Sequence, residues 1–157
     1  MYKRQGNLIA SGKKFAIVLS RWNEFFGDQL VKGAKNALIR YGASEDDITL
    51  FTCPGAFEIP QVARRVAETN KFDGVICLGV LIRGATPHFD YISAETTKGI
   101  GAACKDFKIP FSYGVLTCDN LDQAIERSGS KAGNKGEEAA QCVIEMCSLL
   151  EKIDGLA

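Results

Sequence analysis

Gly74-Val75-Ile76-Cys77-Leu78-Gly79-Val80-Leu81-Ile82 runs straight into Arg83-Gly84-Ala85-Thr86-Pro87-His88-Phe89-Asp90-Tyr91. The first half is the most apolar stretch of the chain and reads as a buried strand. The second half is a short polar loop that opens a helix, expected over Asp90 to Phe107. An unbroken apolar strand, as opposed to an alternating one, is buried on both faces, as in a parallel sheet covered by helices.

The pattern repeats outward from this strand. Phe15–Ser20, Ile48–Cys53 and Phe111–Thr117 are further short apolar or β-branched runs. Between them lie helical patterns over Glu24 to Tyr41 and Phe57 to Thr69, with Leu121 to Ser128 and Lys135 to Ile153 after the last strand. Asn23 is placed to cap the first helix and Gly42 to stop it. Pro60 is tolerable only in a first turn. Four strand–helix repeats predict a three-layer α/β/α sandwich around a parallel sheet, in the flavodoxin-like order 2-1-3-4. Ligands in such sheets bind beyond the carboxyl ends of the strands, where the strand order reverses. That places a site between the loop Arg21–Asn23 and the loop Arg83–His88.

The 157 residues fit one domain, and the 46% apolar and 24% charged composition is that of a globular protein. Nineteen basic side chains balance nineteen acidic ones, so no net field draws the chain to nucleic acid or an anionic membrane. The longest apolar run, Val75–Ile82, is far shorter than the roughly 20 residues of a bilayer-spanning helix. With no export signal in Met1–Lys14, the cytoplasm is the expected compartment. The six cysteines form no CxxC pair, and a lone histidine completes no zinc pattern. They are expected to be buried free thiols, and no metal site is expected.

Several segments carry chemistry or a plainer alternative. Gly84 lets a ligand approach the backbone, Thr86 adds a hydroxyl, and the coming helix start offers unpaired amides to an anion. His88 is the only histidine, the residue type that titrates near neutrality. Phosphate beside a proton-transfer group is one reading. A tight turn capped by Thr86, with a surface histidine, is the other. Trp22, the only tryptophan, either stacks on a ligand or staples onto Phe26 or Gly27. Glu58, after Pro54-Gly55-Ala56-Phe57, either accepts from hydroxyl groups or complements a helix dipole. Gly129-Ser130-Lys131-Ala132-Gly133-Asn134-Lys135-Gly136 fails the GxxxxGK[ST] spacing and reads as a flexible joint.

Together, Arg21–Asn23, Pro54–Glu58, Gly79–Tyr91, Tyr113–Thr117, Gln123–Arg127 and Lys131–Gly136 resemble the lumazine synthase family, in family order over roughly residues 13 to 150. The resemblance implies condensation of 5-amino-6-(ribitylamino)uracil with 3,4-dihydroxy-2-butanone 4-phosphate to 6,7-dimethyl-8-ribityllumazine. Phosphate and water leave, and no cofactor is implied. It implies that Trp22, Asn23, Ala56, Phe57, Glu58, Leu81, Ile82, Tyr113, Lys135 and Glu138 bind the ribitylaminouracil. Gly84, Ala85, Thr86 and Arg127 would bind the phosphate ester, and His88 would shuttle protons. The family usually has phenylalanine at the positions of Trp22 and Tyr113.

The resemblance further implies a homo-oligomer, a pentamer with active sites between subunits. Residues 1–12 would be an arm adding a strand to a neighbour's sheet, outside a single domain of residues 13–157. The short segment between Arg127 and Lys135 favours a hollow icosahedral shell of about 60 subunits over a free pentamer or a decamer. Riboflavin synthase is a further candidate partner. Two other classes remain open at this point: a flavodoxin-like flavin-binding module and a catalytically idle shell subunit. The first is disfavoured because Ser20–Glu24 lacks a phosphate cradle rich in serine, threonine and glycine. The retained His88 and Arg127 argue against the second.

Overall fold

The computed structural model describes residues 1–131 and 133–156. Ala132, inside the glycine-rich joint, and Ala157, at the end of the expected domain, lie outside the described residues. The elements are β1 (Phe15–Ser20), α1 (Glu24–Arg40), β2 (Ile48–Cys53), α2 (Ile59–Glu68), β3 (Gly74–Ile82) and α3 (His88–Asp106). Then follow β4 (Phe111–Cys118), α4 (Leu121–Arg127), β5 (Ser128–Ser130), β6 (Gly133–Asn134) and α5 (Lys135–Asp154). β1 to β4 form the expected parallel sheet in the order β2-β1-β3-β4, with Phe15 opposite both Ile48 and Gly74, and Val75 opposite Phe111.

The two faces of the sheet carry separate cores. Phe15, Ile17, Leu19, Ile76, Leu78 and Val80 pack against Leu30 and Leu38 of α1 and Val143 and Ile144 of α5. Ala16, Val18, Val75 and Cys77 pack against Ile59, Ala63 and Val66 of α2 and Ile100 of α3. Alternate residues of one strand therefore feed opposite cores, which is why β3, and β1 as far as Leu19, are apolar; Ser20 at the end of β1 is the buried polar exception. Each fully buried aliphatic side chain contributes on the order of 1.5–3 kcal/mol. The lateral strands differ. Thr49, Leu50 and Thr52 of β2, and Tyr113 and Thr117 of β4, are exposed.

Local chemistry explains most boundaries. Gly42, at φ 103°, ends α1 with paired bonds from its amide to Ile39 and from the Ala43 amide to Leu38, both 3.0 Å. The helix expected from Phe57 begins later. Ala56–Glu58 is a 3-10 turn and α2 starts at Ile59, with Pro60 in its first turn. The glycine-rich joint is not a loose connection: β5 and β6 pair antiparallel, Ser128 with Asn134 and Ser130 with Gly133. Gly129 (φ 120°) and Gly133 (φ 81°) permit this path. Asn134 secures it, donating to Gln29 and Ser128 carbonyls and accepting from the Gly136 amide at 2.8 Å to cap α5.

Residues 1–12 form no strand within this chain. The Asn7 amide donates to Ser148 Oγ at 2.6 Å and Lys152 Nζ donates to the Gln5 carbonyl at 2.7 Å, so this segment lies along α5. Gly6 sits so close that a Cβ there would fall 2.1 Å from the Glu145 carbonyl oxygen. All six thiols are free, but only Cys53, Cys77, Cys118 and Cys147 are buried. Cys104 and Cys142 are exposed, correcting the expectation of six buried thiols, because each sits on the outer face of its helix. Among the described residues no cluster of histidine, cysteine and carboxylate could hold a metal, and no helix is long and apolar enough to cross a membrane.

Candidate active site

The carboxyl ends of β1, β2 and β3 open into a cleft of about 470 Å³. Trp22 and Asn23 line it after β1, Gly55, Ala56, Phe57 and Glu58 after β2, and Val80, Leu81 and Ile82 at the end of β3. His88 and Ile92 of α3 close the remaining side. This is the reversal point of the strand order, where the sheet leaves a crevice between diverging connections.

Asn23 does not cap α1 as expected. Its backbone is left-handed (φ 60°, ψ 46°) and its side-chain amide donates to the Val80 carbonyl at 2.8 Å, tying the first loop to β3. Asparagine tolerates this conformation better than other side chains. The turn carries Trp22 outward, and the indole is 72% exposed. Its near neighbour is Gly55, where a Cβ would lie 3.4 Å from Trp22 Cδ1 and 3.0 Å from Glu58 Oε2. Glycine at that position leaves the indole and the carboxylate side by side over the cleft. Buried Thr96 donates to the Ala56 carbonyl at 3.0 Å and fixes the 3-10 turn to α3.

Cys53 is the one thiol near the cleft. It donates to the Gly55 carbonyl at 3.4 Å. Burial, then the Glu58 carboxylate, push its pKa up to about 11, partly offset by Arg21. A thiol so protonated at neutral pH is a packing group, not a nucleophile.

The loop between β3 and α3 flanks the cleft. Gly84, Ala85, Thr86, Pro87 and His88 are exposed, and the amides of Gly84, Ala85 and Thr86 donate to no other described residue. α3 begins without a side-chain cap, so Thr86 is not the cap of the plainer reading. Free amides at the start of a long helix are an anion-binding arrangement.

The other expected residues lie elsewhere in the chain. Tyr113, Arg127 and Lys135 line a second hollow of about 260 Å³ along the outer edge of β4. The Lys135 ammonium pairs with Glu138 at 2.6 Å, and the Tyr113 hydroxyl lies 3.0 Å from Thr97 Oγ1. Arg127 Nη1 donates to the Gln123 carbonyl at 3.4 Å, and the side chain is 42% exposed. One chain thus holds these residues in two separate hollows. Val80 and Ile92 line the cleft without having been named as site residues, and Gly55 lines it within the quoted stretch Pro54–Glu58. Ile92 stands one helical turn after His88, a spacing that would have found it.

The family model described as 6,7-dimethyl-8-ribityllumazine synthase matches residues 12–151. The chain is 54% identical to the 6,7-dimethyl-8-ribityllumazine synthase of Chloroherpeton thalassium, over 95% of this chain and 96% of the relative. Identity to the protein of the same name from Chlorobaculum tepidum is also 54%, with the same coverage. Identity to that from Chlorobium limicola is 55%, over 92% of this chain and 94% of the relative. With the family model matched over residues 12–151 and relatives 54–55% identical over more than nine-tenths of the chain, this chain belongs to the 6,7-dimethyl-8-ribityllumazine synthase family.

Proposed function

We propose that this chain condenses 5-amino-6-(ribitylamino)uracil with 3,4-dihydroxy-2-butanone 4-phosphate to 6,7-dimethyl-8-ribityllumazine, releasing phosphate and water. The observation that carries this reading is one cleft in which an exposed indole, the Glu58 carboxylate and His88 stand beside a loop of unpaired amides. Trp22 stacks on the pyrimidine. Asn23, Ala56, Phe57 and Glu58 meet the ring edge and the ribityl hydroxyls, and the main chain of Leu81 and Ile82 meets the uracil. Gly84, Ala85 and Thr86 receive the phosphate.

The chemistry asks little of the protein beyond placement. The primary amine of the uracil attacks the ketone and water leaves to give an imine. Phosphate is eliminated, the enol left behind becomes a ketone, and the ribitylamino nitrogen attacks that carbonyl and closes the ring with loss of a second water. Holding both substrates in register lowers the barrier by as much as about 7–11 kcal/mol. His88 moves protons between the amine, the carbonyl and the departing water. The helix start and Arg127 stabilise the leaving phosphate.

The two hollows support a shared active site. Arg127 ends a helix of 7 residues that starts near the carboxyl edge of the sheet. Such a helix spans roughly 10 Å and carries its last residue away from its own cleft. Tyr113, Arg127, Lys135 and Glu138 of one subunit complete the cleft of the next. A head-to-tail contact of this kind closes into a ring, here a pentamer, with about 60 subunits in a hollow shell. β2 is an edge strand, exposed at Thr49, Leu50 and Thr52, and takes up the arm of residues 1–12 from a neighbour once the first residues of that arm leave the α5 surface they lie along here. Riboflavin synthase as a partner and the cytoplasm as compartment rest on the family resemblance and the composition.

Incubation with both substrates, followed by lumazine fluorescence, tests the reaction. Bound flavin without condensation would favour a flavin-binding module instead. Light scattering at micromolar protein tests the assembly: a homogeneous free pentamer overturns the shell, and an active monomer overturns the shared site.

A further inference from the structure

Arg83 is the residue between β3 and the open loop, and its side chain reaches across that loop. Nη1 donates to both carboxylate oxygens of Asp90, at 2.9 and 3.0 Å, and Nε donates to Asp119 Oδ1 at 3.0 Å. The guanidinium carbon lies 4.2 Å from the centre of the Phe89 ring, and Phe89 itself is buried. The Arg83 amide also donates to the Cys118 carbonyl at 2.9 Å. Among the described residues, no side chain of Gly84 to His88 makes a hydrogen bond. A Cβ at Gly84 would meet nothing within 4 Å.

We propose that Arg83 is a positioning residue for the phosphate ester: its guanidinium clasps the loop shut between β3 and Asp90. The amides of Gly84, Ala85 and Thr86 are thereby held open toward the incoming anion. The proposal rests on reading this loop as the phosphate site.

Three physical arguments support the clasp. First, the loop has no other side-chain anchor, so its shape depends on what holds its two ends. Second, a lone exposed ion pair contributes little, but here one guanidinium is fixed at once by two carboxylates and an aromatic face. The planar fork suits that geometry and an ammonium does not. Third, Asp90 in the first turn of α3 and Asp119 beside it would repel a phosphate at the same helix start. Arg83 neutralises part of that charge. Asp119 also belongs to the start of α4, where its amide donates to Gln123 Oε1 at 2.9 Å, so the clasp joins the two loops that follow β3 and β4.

The test is steady-state kinetics on the assembled enzyme, with inorganic phosphate as a competitive probe. Arg83→Ala should raise KM for the butanone phosphate and weaken phosphate inhibition by the same roughly tenfold factor. KM for the ribitylaminouracil should stay within about twofold. Arg83→Lys should recover only part of the loss. Asp90→Asn should show the same selectivity, and it carries the test if Arg83→Ala fails to assemble. Unchanged phosphate inhibition in folded Arg83→Ala, or an equal loss for both substrates, overturns the clasp. A wild-type enzyme that condenses the substrates but ignores inorganic phosphate removes the loop as phosphate site, and the clasp falls with it. A wild type that does not condense them removes the functional reading itself.

Discussion

The side-chain amide of Asn23 donates to the main-chain carbonyl of Val80 at 2.8 Å, while Asn23 itself holds a left-handed backbone. This one bond ties the turn bearing Trp22 to the strand that floors the cleft. Asn23→Ala removes the bond and leaves a methyl side chain in an unfavourable conformation. The expected loss of stability is about 1–3 kcal/mol, from a lost hydrogen bond and the strain of the left-handed turn. Asn23→Gly relieves the strain but not the bond, so it should fall between the two. Denaturant unfolding measures the order. An Asn23→Ala protein as stable as wild type would show that the tie does not hold the turn.

His88 is exposed at the start of α3 and lines the cleft, so its removal should leave the fold intact. His88→Ala is expected to slow condensation by about ten- to a hundredfold, toward the low end of general acid–base effects. The remaining rate reflects placement of the two substrates. Single-turnover fluorescence of a folded variant is the measurement, and an unaltered rate would take His88 out of the proton path.

Arg127 lines the hollow at the edge of β4, which the proposed assembly joins to the cleft of the next subunit. Arg127→Ala should raise the concentration of butanone phosphate needed for half-maximal rate. Arg127→Lys should be impaired too, because a point charge does not reproduce the guanidinium fork. Mixing offers a sharper check. Subunits carrying His88→Ala and subunits carrying Arg127→Ala, refolded together in equal amounts, should regain wild-type sites at about a quarter of the contacts in a ring. No gain on mixing would place both residues in the site of a single subunit.

Gly136 brings the start of α5 against α1. A Cβ there would lie 2.0 Å from the Leu30 carbonyl oxygen, a backbone atom that cannot rotate away. Gly136→Ala is therefore expected to cost at least about 1–3 kcal/mol, the range for an overpacked core. Thermal unfolding decides it. A midpoint equal to that of wild type would mean that the two helices separate at little cost.

The strand alternation was legible because burial on both faces leaves β3, and β1 as far as Leu19, with no polar position, and helices between them keep a period of 3.6. Gly42 marked the end of α1 because only glycine takes its positive φ easily. The stretch Ile82–Tyr91 pointed, through the kinds of residue it concentrates, to the cleft that Ile82 and His88 line. Other features were not legible. Nothing local distinguishes an asparagine that caps a helix from one that reaches a carbonyl 57 positions away, as Asn23 does. The β5–β6 hairpin depends on Asn134 reaching Gln29, far off in sequence. Arg83 looked like one residue of a motif until Asp90 and Asp119 were seen on its guanidinium.

By itself, then, the sequence determined the order of the four sheet strands and their helices, the parallel sheet, and the end of it at which the cleft opens. These follow from hydrophobic period and from the handedness of connections, which act over a few residues or through general chirality. Tertiary structure alone decided which side chains meet. It set Trp22 beside Gly55, bound Asn23 to Val80, closed Arg83 over its loop, and parted Arg127 from the cleft of its own chain. Such contacts join residues distant in sequence, and their distances emerge only when two helical layers pack on one twisted sheet.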